Sequence, residues 1–377
     1  MKISALVAEF NPLHQGHKYI IDSMHSLSDA VIAIMSGNFV QRGECALYEK
    51  HDRANAAISC GVDLVLELPA VYSLSSAEGF AKGAVEILER TEVVDSLHFG
   101  SECGDIKLLS ACADVLNSEN EKFQSVLGEK LSEGLSFPAA RQAALKSIIG
   151  NAAVTDMPNN ILAVEYIRVL KKLSSKISPI TIKRVGCGYN DTDTNSQFPS
   201  ASGIREKLRN GESIKEYMLY NYESSPTFMN RFDVMVSARL KAVSKEELCL
   251  IPDCNEEIAV RLKDASIYNT FEEIIEAASC RCYTQSRLRR ILCNMIIGNH
   301  FKTLPAPTYI RPLAFNKMGS NILKKMKTCA TLPIASRGAV LKEDSLFSLE
   351  RRATDIYNLA HNIKGGREFS DCAKIFE

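Results

Sequence analysis

Two histidines, separated by a glutamine and a glycine in His14-Gln15-Gly16-His17, are the side chains whose type and spacing point most directly to chemistry. They follow an apolar run, Ile3 to Phe10, and a turn at Asn11-Pro12, and a helical pattern runs from Lys18 onward. A strand, a tight loop and a helix in this order make a site for a nucleotide triphosphate. Gly16 has no Cβ and lets the backbone approach a phosphate. The helix N-terminus offers free N–H groups and a partial positive charge. Three residues apart, both imidazoles can face one ligand and donate to charge developing on a pentacoordinate phosphorus.

Further cations are placed to assist. Gln41 and Arg42 lie in a loop bounded by Gly37 and Gly43. An arginine there can neutralise a carboxylate or phosphate through paired hydrogen bonds; a turn with solvated side chains is the alternative. Lys50 and Arg53, on the next helix, are similar candidates for a substrate loop. Arg205, in Ser200-Ala-Ser-Gly-Ile-Arg205, stands at the opening of a helix. Its alternative is a surface arginine behind a helix cap made by Ser200 or Ser202.

The elements that must hold these residues read as alternating strands and helices. Strands are expected at Ile3–Phe10, Ala30–Met35, Asp63–Leu68, Val94–Phe99 and Pro179–Val185, and helices at Lys18 to Ser28, His51 to Ser59 and Ser75 to Arg90. Such alternation predicts an α/β fold with a parallel sheet covered on both faces. Loops that follow strands then gather at one sheet edge, where ligands bind. From Asp105 to Gly150 the pattern is helical, Ile161–Leu173 is a helix that Asn159 or Asn160 could cap, Gly186–Gln197 is a loop, and Ser200–Arg209 opens a helix. After about residue 215 strand patterns fade. Helices are expected at Pro226–Val243, with Ser225 as N-cap, and at Asn255–Ala265, Phe271–Ala278 and Thr284–Ile297. The expected division is a Rossmann-like domain over residues 1–220 and a mainly helical, basic domain over residues 221–377.

At 377 residues the chain is long enough for two domains. No stretch approaches the ~20 apolar residues of a membrane span, and the first residues lack a signal-peptide layout, so a soluble cytoplasmic protein without a membrane partner is expected. The twelve cysteines include Cys280 and Cys282 as C-x-C but no C-x-x-C pair. Reduced thiols are therefore expected rather than structural zinc.

The net charge of zero hides an asymmetry. From Ala277 to Lys342 there is no acidic residue, yet the segment holds Arg281, Arg287, Arg289, Arg290, Lys302, Arg311, Lys317, Lys324, Lys325, Lys327, Arg337 and Lys342. A cationic surface of this kind suits a polyanion bound by phosphate neutralisation. Tyr283 and Tyr309 lie among the cations and could stack on exposed bases. A solvated face balanced by acidic residues elsewhere is the alternative.

Blocks along the chain carry a resemblance. Asn11-Pro-Leu-His-Gln-Gly-His17, Met35-Ser-Gly-Asn-Phe-Val-Gln-Arg-Gly43, Gly61-Val-Asp-Leu-Val-Leu-Glu-Leu-Pro69, Phe99-Gly-Ser-Glu102, Asn159-Asn-Ile-Leu162 and Ser200-Ala-Ser-Gly-Ile-Arg205 occur in that order. Together they resemble the bacterial tRNA(Met) cytidine acetate ligase family, a branch of the HIGH-type nucleotidyltransferases. The resemblance implies a Rossmann-like HIGH domain that takes ATP as substrate, with Mg2+ and no tightly bound cofactor. It also implies elongator tRNA(Met) and acetate as partners, acetyl-adenylate as intermediate and N4-acetylcytidine at the wobble position as product. Implied catalytic residues are His14, His17 and Arg205. Implied ATP contacts are Val7, Ala8, Glu9, Phe10, Asn11, Pro12, Leu13, Gln15, Gly16 and Lys18 around the histidines, then Gly100, Asn160, Arg184 and Ser202. Ser200 to Arg205 is similar to an I-S-S-T-x-x-R block whose hydroxyls hold the outer phosphates, although Ala201 and Gly203 depart from it. tRNA contacts are expected at Arg281, Arg287, Arg289, Arg290, Lys324 and Lys325. A small-molecule adenylyltransferase and a non-catalytic RNA-binding protein remain rivals. Lys317-Met-Gly-Ser320 echoes the K-M-S-K-S loop of class I synthetases but lacks its second lysine.

Overall fold

Alternation of apolar runs and capped helices organises the first half of the chain. The computed structural model describes residues 1–118, 120–150, 157–184 and 200–376. In order come β1 (Ile3–Ala8), α1 (Gln15–His25), β2 (Ala30–Ser36), the short strands β3 (Phe39–Val40) and β4 (Glu44–Cys45), α2 (Lys50–Ser59), β5 (Leu64–Leu68), α3 (Ala70–Ser73), α4 (Ala77–Arg90) and β6 (Ser96–Ser101). Then follow α5 (Ile106–Ser118), α6 (Glu121–Ser132), α7 (Phe137–Ile149), α8 (Pro158–Lys172), β7 (Ser178–Lys183) and α9 (Ala201–Arg209). The expected loop at Gly186–Gln197 and the end of the fifth strand at Val185 lie outside the described residues.

Among the described residues seven strands make the main sheet, in the order β7-β6-β1-β2-β5-β8-β9. The five strands from the first half pair in parallel. β1 and β2 read as unbroken apolar runs because both faces are covered. Ile3, Ala5, Ile32 and Ile34 enter one buried cluster, and Leu6, Ala8, Val31, Ala33 and Met35 enter the other. Helix starts follow side-chain chemistry. Ser76, Ser200, Asn255, Thr270 and Thr284 each accept a hydrogen bond from a backbone N–H two or three residues into their helices.

The later part is mainly helical, with α10 (Asp233–Ala242), α11 (Lys245–Leu248), α12 (Glu256–Asp264), α13 (Phe271–Ala278), α14 (Gln285–Ile297), β8 (Pro312–Phe315), α15 (Lys317–Cys329), α16 (Ser345–Leu359), α17 (Arg367–Ser370) and β9 (Lys374–Ile375). Strands do not end near residue 215, however. β8 pairs antiparallel with β5, and β9 pairs parallel with β8, so residues beyond 221 complete the sheet. A four-residue strand opening on a proline is too short to show alternation, and proline is tolerated there as the first residue.

Two helix starts differ from expectation. Ser225 and Pro226 do not open a helix: Thr227 N–H bonds Leu47 O at 2.7 Å, which ties this stretch to the first half, and α10 begins only after a 3-10 turn at Met229–Phe232. Neither Asn159 nor Asn160 caps α8, which has Met157 at its N-cap position. The Asn160 side-chain oxygen instead accepts from the backbone N–H groups of Glu102 and Cys103, at 2.9 and 3.2 Å. Among the described residues no helix is long and apolar enough to cross a membrane.

Candidate active site

His14 is the N-cap of α1. Its backbone is extended, and its Nδ1 accepts from Gly16 N–H at 3.0 Å. His17 returns the contact, its Nδ1 accepting from His14 N–H at 3.3 Å. Both Nδ1 atoms are acceptors, so each neutral ring carries its hydrogen on Nε2. Burial pushes His14 down to about 4 and His17 well below its usual value, with neighbouring positive charge adding to both. The loop therefore presents two uncharged imidazoles, centroids 4.1 Å apart, whose Nε2–H groups make no hydrogen bond among the described residues. Gly16 has a more local reason than phosphate approach: a Cβ would lie 2.8 Å from His14 Cε1, so the glycine makes room for the cap itself.

The loop before the histidines is held from three sides. Arg53, expected in a substrate loop, is fully buried beneath it. Its guanidinium donates to the carbonyls of Glu9 at 2.5 Å, Ser36 at 3.1 Å and Gly37, and its Nε to Tyr48 O at 2.9 Å. This supports Phe10, a non-glycine residue at φ +46°. Asn11 Oδ1 accepts from Leu47 N–H at 2.7 Å, while Arg205 Nη1 donates to Asn11 O at 2.8 Å. Tyr222, stacked on Tyr48 at 3.9 Å, accepts from Leu13 N–H at 3.1 Å. Nothing in the sequence marks Tyr222, 209 positions from its partner.

A cleft of about 390 Å³ opens beside the histidines. The structure brings Val7, Ala8, Glu9, Phe10, Asn11, His14, His17, Gln41, Arg42, Gly100, Arg184, Ser202 and Arg205 together along its walls. Pro12, Leu13, Gln15, Gly16 and Lys18 shape or extend the loop without lining the cleft, and Asn160 stands behind it, bonded to the turn after β6. His98, Phe80 and Tyr166 line the cleft and were not foreseen. His98 had a usable signal, since it lies two residues before Gly100 and so on the same sheet face. Glu9 Oε1 accepts from Gln41 N–H at 2.7 Å. Burial raises its carboxyl against the pull of that bond and of Arg205, Arg42 and Arg53. Arg205 also reaches Glu44 at 3.9 Å, and Glu44 reaches Arg289 at 3.6 Å.

Lys50 is not in the cleft. It is fully buried and paired with Glu67 at 2.5 Å, with Glu350 at 3.1 Å and with Glu368. Arg311, also buried, joins Glu67 at 3.1 Å and Glu368. Oxygens of the three carboxylates lie within 4.8 Å of one another, an arrangement that could suit a metal, but two side-chain cations already stand among them.

The basic segment divides. Arg281, Lys324 and Lys325 are exposed. Arg287 donates to Asp253 O at 2.7 and 2.9 Å. Arg289 pairs with Glu44 and Glu272, and Arg290, 7% exposed, faces Asp253 at 3.8 Å. Arg289 and Arg290 thus serve contacts within the fold, because Gly43 packs directly on their backbone and would place a Cβ 2.4 Å from Arg290 N. Tyr309 is 2% exposed and cannot stack on a base. Tyr283 remains at the surface, its hydroxyl donating to Glu257 at 2.7 Å.

Comparison with known proteins agrees with this geometry. The HIGH Nucleotidyl Transferase family model matches residues 1–370. A tRNA(Met) cytidine acetate ligase of Clostridium kluyveri is 39% identical over the whole of both chains. Another, of Caldanaerobacter subterraneus subsp. tengcongensis, is 38% identical over 96% of each. The solved structure of apo Thermotoga maritima TmcAL superposes with a TM-score of 0.93 at 32% identity, covering all of both chains. The same protein bound with alpha-thio ATP gives 0.90.

Proposed function

The chain belongs to the tRNA(Met) cytidine acetate ligases among the HIGH nucleotidyl transferases, and from that membership we propose that it joins acetate to the wobble cytidine of elongator tRNA(Met) at the expense of ATP. The observation that carries the reading is the pair of neutral Nε2–H imidazoles at the start of α1, facing a cleft that Arg42 and Arg205 also line. A Thermotoga maritima relative holds an ATP analogue. Here the triphosphate lies with its phosphates at the N-terminus of α1.

An acetate oxygen attacks the α-phosphorus, and the bond to the bridging oxygen breaks, giving acetyl-adenylate and pyrophosphate. Acetate is already a nucleophile, so catalysis consists of alignment and of stabilising charge that passes to the leaving pyrophosphate. His14, His17 and Arg205 suit that task. Neutral donors bind the triphosphate without needing a proton from solution. Mg2+ arrives on the ATP as part of the substrate. The cytidine N4 amine then attacks the acetyl carbon, the tetrahedral adduct expels AMP, and the nitrogen loses a proton. Residues 1–220 carry the adenylation chemistry in this reading, and residues 221–377 supply the tRNA surface, with Arg281, Lys324, Lys325 and the partly exposed Arg287 as its cations.

The test is ATP–pyrophosphate exchange by the purified chain, with and without acetate and tRNA(Met). Exchange that needs acetate, followed by acetyl transfer to the tRNA, is the expected result. Exchange indifferent to acetate sinks the ligase reading.

A further inference from the structure

Ser4 of β1 and Ser96 and His98 of β6 are buried polar residues, 0, 2 and 0% exposed, where two central strands call for apolar ones. Ser4 pairs with Ser96 and Leu6 with His98 across the parallel ladder, so all four share a sheet face. That face is the one under α1, because Leu6 packs in one cluster with Ile21 and Met24.

The polar atoms close a triangle. Ser4 Oγ and Ser96 Oγ are 2.9 Å apart, and His98 Nε2 lies 3.2 and 3.0 Å from them. Among the described residues the two hydroxyls have no other hydrogen bond, which fixes the tautomer. If Nε2 is bare, one serine donates to the other, the second donates to Nε2, and only Nδ1–H is left unmet. If Nε2 carries the hydrogen, one hydroxyl proton and the bare Nδ1 acceptor are both left unmet. The hydrogen is therefore on Nδ1. Burial keeps the ring neutral by pushing it down to about 4. Among the described residues that buried Nδ1 has no partner, and an unmet buried donor costs about 1–3 kcal/mol.

The orphan donor belongs to a residue that lines the cleft. Leu6, Ile20 and Gly100 line it beside His98. Gly100 is the next residue on that face, and a Cβ there would stand 3.2 Å from Arg184 Cγ and 3.5 Å from Ile20 Cδ1. Glycine thus keeps open a slot with apolar walls and His98 among its lining residues, the build of a small-ligand pocket. The phosphate end of the cleft is already taken by His14 and His17.

We infer that His98 reads the base of the bound nucleotide, its Nδ1–H donating to a ring nitrogen of adenine lodged between Ile20 and β6. The inference rests on the reading that ATP fills this cleft. It makes His98 a specificity residue and explains why a buried polar triangle persists in the sheet.

Titration calorimetry on the intact chain tests it with ATP, 1-deaza-, 3-deaza- and 7-deaza-ATP. One analogue, the one lacking the contacted nitrogen, is expected to bind about 5- to 10-fold more weakly than ATP, the worth of one neutral hydrogen bond. His98→Ala, or His98→Gln if the alanine variant does not fold, should bind ATP more weakly and erase the difference between ATP and that analogue. Equal affinity of the wild-type chain for all four nucleotides overturns the inference. So does a deaza penalty of the same size in the variant. The titrations need neither acetate nor tRNA. A chain that shows the His98-dependent penalty but no acetate-dependent exchange therefore loses the ligase reading and keeps this one. Failure to bind ATP at all removes both.

Discussion

Two regions of this molecule gather buried titratable groups, and they treat charge in opposite ways. In the cleft, burial strips the histidines of their charge and leaves Nε2–H donors turned toward open space. In the cluster of Lys50, Glu67, Arg311, Glu350 and Glu368, burial alone would discharge the groups, but opposite neighbours hold them ionised. Burial would lower Lys50, yet the three glutamates keep it well above its usual value. It would raise Glu368, yet Lys50 and Arg311 keep it well below. Only Glu350 is driven the other way, up to about 7, by burial and by Glu67. Three carboxylates face two cations there, so a proton retained by Glu350 balances the cluster. A perturbed titration thus marks strain in both places, and a ligand site only where an unmet polar atom borders free volume. The cluster is a strut: it joins α2 and β5 to Arg311, just before β8, and to α16 and α17.

The contrast can be broken by experiment, the largest effect coming from the strut. Lys50→Met leaves three buried carboxylates against one cation and is expected to lower stability by about 3–5 kcal/mol, read as the midpoint of urea unfolding, while the folded fraction binds ATP as before. An unchanged midpoint would show that the cluster bears no such role. In the cleft the balance reverses. His14→Ala or His17→Ala should slow acetate-dependent exchange by about 10²–10³-fold, at a stability cost near that of one lost helix cap, about 1 kcal/mol; exchange retained in both variants removes the imidazoles from the chemistry.

Tyr222→Phe tests whether the cleft depends on a hydroxyl outside it. Leaving Leu13 N–H unmet costs about 1–3 kcal/mol, expected mainly as a fall in kcat for exchange with a smaller change in KM for ATP. Unaltered kinetics with a lowered melting temperature would make Tyr222 a prop alone. Last, pH separates the regions by sign. Below 6.5 the unfolded chain protonates imidazoles that folded His14 and His98 refuse until about 4, so acidification through that window destabilises the fold. Glu350 keeps its proton up to about 7 when folded but releases it near 4.5 when unfolded; its contribution is complete below 4.5 and is lost as pH rises through 7. Each effect is bounded by about 1.4 kcal/mol per pH unit. Over the shared window the histidines outweigh Glu350, so the urea midpoint rises toward neutrality, and Glu350→Gln should steepen that rise by removing the opposing slope. An unchanged slope in the variant places that proton on another group.

Much of the fold is legible in the sequence. Fully buried parallel strands announce themselves as apolar runs, and Ser76, Ser200 and Thr284 mark their helices because capping is a local event. The histidine loop was legible for the same reason, with its whole capping arrangement inside four residues. Lys50 and Arg53 were misread because their roles depend on distant partners, Glu350 being 300 positions from Lys50, and a sequence shows a cation without showing what it faces. Part of the basic segment hides its role for the same reason. Twelve cations in a row of residues do not make a surface when Arg290 and Arg311 turn inward. β9, two residues long, has no periodicity to read.

The closing of the sheet by β8 has a consequence for biosynthesis. β5, Leu64-Val-Leu-Glu-Leu68, emerges early and pairs at once with β2, but its other edge waits for residues 312–315. Until then the nascent chain carries an apolar strand with one row of N–H and C=O groups unspent, and Glu67 lacks Arg311. Such an edge invites pairing with another chain. A fragment ending at residue 220 would keep the histidine loop yet expose this seam permanently, so it should be prone to self-association although every cleft residue is present.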